Sequence, residues 1–101
     1  MKQMERTELI QYIAETVLSY EKLEVTSHIL WDFMCDSNKI IQWTIDDRNK
    51  DAFYIAIRKG GLETGSKENV DKRCAVLGSP IHTIEIRKIQ YRCTDFEIRE
   101  Y

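Results

Sequence analysis

The sequence predicts a single α+β domain over residues 1–101. Two N-terminal helices pack on a roughly four-stranded antiparallel sheet, and a short third helix lies between two β-hairpin-like units, in the order α-α-β-β-α-β-β. Three observations point there. Apolar residues recur at helical spacing near the N-terminus, two period-two runs flank a charged turn between Ile40 and Lys59, and a serine-capped, glycine-stopped segment precedes a β-rich end.

From about Gln3 to Lys22 the residues Leu9, Ile10, Ile13, Ala14, Val17, Leu18 and Tyr20 make one apolar stripe, with Glu5, Glu8, Gln11, Glu15 and Glu21 opposite. Glu5 and Glu8 suit the positive end of the helix dipole. Thr26 or Ser27 then offers a hydroxyl cap for a second helix through Cys35, with Leu30, Phe33 and Met34 inward and Ile29 at the edge, ended by Asp36-Ser37-Asn38.

Between Ile40 and Lys59 the alternation predicts a β-hairpin. Ile41, Trp43 and Ile45 share one face of the first strand, and Phe53, Ile55 and Ile57 share one face of the second, around the turn-prone Asp46–Asp51. Two registers fit, pairing Trp43 with Ile55 or with Phe53. The first sets Asp47 against Asp51; the second lengthens the loop.

Gly60 to Ser66 reads as a loop, because glycine takes positive φ readily. Ser66 caps a third helix over 67–77, lined inwardly by Val70, Cys74 and Leu77 and stopped by Gly78 and Pro80. The segment 81–101 reads as two strands. Its apolar phase slips from Ile84 and Ile86 to Ile89, Tyr91 and Cys93, then back to Phe96 and Ile98, which predicts a bulge near Arg87-Lys88 and a turn or second bulge near Thr94-Asp95.

Length and composition bound the function. A chain of 101 residues with 43% hydrophobic and 32% charged content builds a core without metal or disulfide. No apolar run approaches the length of a membrane span, and the N-terminal residues lack a secretory core, so cytoplasmic residence is the expectation. Cys35, Cys74 and Cys93 have no C-x-x-C spacing and read as small buried hydrophobes.

No catalytic constellation is evident, so the expectation is a protein without enzymatic activity and without a cofactor. No local signature joins His28 or His82 to a cysteine, and His28 with Asp32 supplies too few metal ligands. Gly60–Lys67 is glycine-rich and precedes a helix but does not match a phosphate loop. A helix-turn-helix is disfavoured by the long linker without glycine and by Asp32 and Asp36 on the second helix.

What is left is an interaction surface. The net charge of −2 conceals a basic centre: residues 40–94 hold ten bases and seven acids. Arg58, Lys59, Lys72, Arg73, Arg87, Lys88 and Arg92, with Trp31, Tyr54 and Tyr91, are the candidate contact residues. The leading expectation is a small protein-binding regulator or inhibitor, binding a partner or self-associating through a sheet edge or the Trp31 region. The alternative is a nucleic-acid-binding module built on the bases between 58 and 92.

Overall fold

The computed structural model describes residues 2–19, 37–46, 52–89 and 95–101. Its elements are β1 (Lys2–Glu5), α1 (Arg6–Leu18), α2 (residues 37–45), β2 (Phe53–Arg58), β3 (Gly61–Gly65), α3 (Lys67–Leu77), β4 (Pro80–Lys88) and β5 (Asp95–Glu100). The predicted α+β class and the helix-and-hairpin order hold, with five strands among the described residues instead of four. The sheet order is β1-β5-β4-β2-β3, every neighbouring pair antiparallel.

The additional strand is β1. Residues 3–5 were expected inside the first helix, but Lys2–Glu5 pairs with β5, setting Met4 beside Phe96. Four residues are too few to show a period of two, so the helical pattern next to them dominated. From Arg6 onward α1 follows its stripe, burying Leu9, Ile13 and Val17.

The larger correction concerns Ile40–Ile45, which is helix and not the first arm of a hairpin. Ile40, Trp43 and Thr44 are buried, whereas Ile41 and Ile45 are 39% and 52% exposed. The run I-I-Q-W-T-I fits both periods, with residues 41, 43 and 45 alternating and residues 40, 43 and 44 at helical spacing. Its β-branched content favoured a strand, and packing against the sheet decided otherwise. Thr44 satisfies its buried hydroxyl by donating to the Ile41 carbonyl at 2.7 Å. The predicted helix over 28–35 lies outside the described residues.

The true first hairpin is β2–β3. Lys59 and Gly60 form its two-residue turn, with Gly60 at φ +85°, and Arg58 faces Gly61. The segment read as a loop is therefore mostly strand. In β4 and β5 the register runs unbroken to the Lys88–Phe96 pair, so no bulge occurs at Arg87-Lys88; a shift occurs instead at Ile57/Arg58 against β4. The phase slip has a simpler cause. The strand stops at Lys88, and Ile89 beyond it is 43% exposed.

The front of the sheet carries Phe53, Ile55 and Ile57 as predicted, joined by Ile84, Ile86, Phe96 and Ile98 beneath α1 and α2. Not all helices share that side. β3 and β4 both run antiparallel to β2, hence parallel to each other, and α3 crosses between them on the back. Val70 and Cys74 there cover Ala56 and touch Tyr54. Ser66 caps α3 as expected, its hydroxyl accepting from the Asn69 amide, and Gly78 ends it.

Candidate protein interface

β3 lies at the edge of the sheet with β2 as its only strand neighbour among the described residues. A two-residue hairpin is closed by a hydrogen-bonded pair, so Gly61, Glu63 and Gly65 aim their amides and carbonyls at β2, and Leu62 and Thr64 aim theirs outward. On the front α2 overhangs this edge; on the back α3 does. Between them runs a trough of about 460 Å³ lined by Lys39, Leu62, Glu63, Thr64, Asn69, Lys72 and Arg73.

Its electrostatics follow from one carboxylate. Glu63 accepts from Arg58 on Oε1 (Nη2 at 3.1 Å, Nε at 3.4 Å) and from Arg73 Nε on Oε2 at 3.3 Å. Two guanidinium groups on one carboxylate leave the local balance positive. Arg58 reaches Glu63 by folding over Gly61, where an added Cβ would stand 3.1 Å from Nη2. Lys72 pairs with Glu68 at 3.0 Å, both side chains at least 70% exposed, so that bond is weak and screened.

The predicted contact residues thus separate. Arg58, Lys59, Lys72 and Arg73 gather around β3 and the start of its hairpin. Lys88 lies at the front, its ammonium 4.7 Å from the Trp43 ring centroid and 2.6 Å from the Asp46 carbonyl, where it ties α2 to the sheet. Arg87 lies at the back with Tyr54. Trp31, Tyr91 and Arg92 lie outside the described residues. Sequence reading missed Lys39, because its segment was taken as the approach to a strand, and Glu63, because an isolated acid in an apparent loop gives no signal.

Tyr54 belongs to a second place, a cavity of about 380 Å³ between α3 and the back of β4 that Glu85 and Tyr101 also line. Its buried carboxylate, Glu85, accepts from the Tyr54 hydroxyl at 2.8 Å and from Arg87 Nε at 3.1 Å. Burial pushes the Glu85 carboxyl up, but the hydrogen bonds from Tyr54 and Arg87 and the charges of Arg87 and Arg99 outweigh it, and its pKa falls below the ordinary glutamate value. Burial, then the hydrogen bond to this carboxylate, raises the Tyr54 phenol.

A depressed carboxyl pKa stabilises the fold above the unfolded value, and that contribution disappears as pH falls through the folded value. Acid unfolding of the native protein should therefore steepen below about pH 4. In Glu85→Gln that part of the slope should vanish, leaving a variant less stable at neutral pH but less sensitive to acid. Urea midpoints measured across the range check it; parallel pH profiles would refute the assignment.

His82 and Cys74 are packed groups. His82 Nε2 lies 3.3 Å from Glu100 Oε1 at the open end of the front face. Tyr12 of α1 bonds the same carboxylate, and burial with that bond pushes its phenol up to about 12. Cys74 is buried under α3, and burial raises its thiol. Among the described residues no helix is long and apolar enough to cross a membrane.

The arrangement defines a class: a small α+β protein whose five-stranded antiparallel sheet has helices on both faces and a basic, helix-flanked edge. Family models, curated proteins and solved structures yield no match to this chain.

Proposed function

We propose that this protein acts without chemistry, by binding another protein through addition of an extended partner segment to the outer edge of β3. The observation that carries the reading is the trough: an edge strand at its floor, the outward backbone groups of Leu62 within it, and α2 and α3 as its walls. Added strands gain affinity from main-chain hydrogen bonds and specificity from the side chains that flank them. A nucleic-acid interface has less support. Arg58 and Arg73 share Glu63, Arg87 holds Glu85 and Lys88 holds α2, so few of the bases are left to neutralise phosphates.

The test is a selection of binders from a random peptide library against the whole chain, with amide hydrogen exchange as readout. Slowed exchange at Leu62 on binding, with the circular dichroism of the chain unchanged, is the expected result. Binders that protect any other surface instead would sink the reading.

A further inference from the structure

We propose that the cavity of about 380 Å³ between α3 and the back of β4 is a binding site for a small, uncharged aromatic molecule carrying one hydrogen-bonding group. Its volume lies at the lower end of the range of small-ligand sites. The charged groups that line it are already matched. Lys67 pairs with Asp71 at 3.0 Å, and Glu85 accepts from the Tyr54 hydroxyl and from Arg87. With Arg87 counted, two cations balance two carboxylates, so a charged ligand would shed its hydration there and gain no counter-ion in return.

The surface left for a ligand lies at Thr83 and Tyr101. The Thr83 amide donates to the Tyr101 main-chain oxygen at 3.1 Å, and the Tyr101 amide donates to the Thr83 carbonyl at 2.8 Å. Residues paired in this way set their side chains next to each other, here on the face opposite Ile84. The Thr83 hydroxyl makes no hydrogen bond among the described residues, and a hydroxyl both donates and accepts. Tyr101 is 64% exposed and Pro80 is exposed as well; these, and not the already buried Val70, are the apolar surface that a ligand would cover. Tyr54 is held by its bond to Glu85, so the cavity is shaped before anything enters it, and the ordering cost of binding is low.

Three probes of similar size test the site: benzyl alcohol, benzylamine and benzoate, each titrated into the isotope-labelled full chain and followed by amide chemical shifts. Benzyl alcohol should shift Thr83 and Tyr101 with a dissociation constant of about 1 mM, and the two charged probes should bind about tenfold more weakly. Thr83→Val keeps the volume and removes the hydroxyl, and should weaken benzyl alcohol about fivefold. Tyr101→Ala removes an exposed ring, and should weaken it about tenfold. Both variants should keep the spectrum of the folded chain elsewhere. Tighter binding of benzylamine than of benzyl alcohol would mean that Asp71 or Glu85 is open to a cation, and would overturn the uncharged class. Equal binding of benzyl alcohol to both variants and the native chain, or no shift at Thr83 and Tyr101 at about 20 mM probe, would remove the site altogether.

Discussion

Trp43→Ala is expected to cost about 3–5 kcal/mol in urea denaturation, while Ile45→Ala, two residues away, should cost less than about 1 kcal/mol. Trp43 is 4% exposed and its ring lies 5.4 Å from Phe53 and 6.0 Å from Phe96, tilted 42° to each. Deleting it removes the contact between α2 and two strands, and with it the perch of Lys88. Ile45 is half exposed and has little to lose. The pair discriminates sharply, because a strand over 40–45 would bury residues 41, 43 and 45 alike and make the two losses comparable.

Trp43→Phe should behave differently from Trp43→Ala. The buried Nε1 finds no hydrogen-bond partner among the described residues. An unpaired buried donor costs about 1–3 kcal/mol, so its removal offsets much of the area lost with the second ring. A net change within about 1 kcal/mol is expected.

The second large loss is at Phe96. It is fully buried in β5, flanked by Met4 of β1 and Lys88 of β4, and it meets Trp43 across the core. Phe96→Ala should cost about 3–5 kcal/mol, a third or more of the stability a domain of this size usually has. Because its ring touches Trp43, the double alanine variant should lose less than the sum of the singles. A strictly additive double mutant would mean that the rings are not in contact.

Where the sequence could be read, one physical signal dominated. Ser66, the 67–77 helix and Gly78 were legible because a hydroxyl cap and a glycine stop are local devices. The inward set Phe53, Ile55 and Ile57 was legible because six residues of strict alternation have no helical rival. Ile40–Ile45 was not, since a short run can satisfy both periods and the choice rests on what packs over it. β3 was hidden for another reason: Gly61, Thr64 and Gly65 carry no apolar alternation, and their pairing comes from the Lys59-Gly60 turn. The candidate edge was illegible as a consequence, for it needs Lys39, Glu63, Lys72 and Arg73 brought together from three elements.

The pairing of Lys2–Glu5 with Asp95–Glu100 has a bearing on synthesis. During translation β1 is made well before β5 and waits for the residues between Glu5 and Asp95 before its partner strand exists. Local pieces such as α3 and the β2–β3 hairpin can close early, since loop closure over short separations is fast. The described sheet is joined up only when β5 slides between β1 and β4. Nascent chains arrested before Asp95 should accordingly be cut readily by protease after Lys2 and Arg6, and acquire protection there only once β5 has left the ribosome.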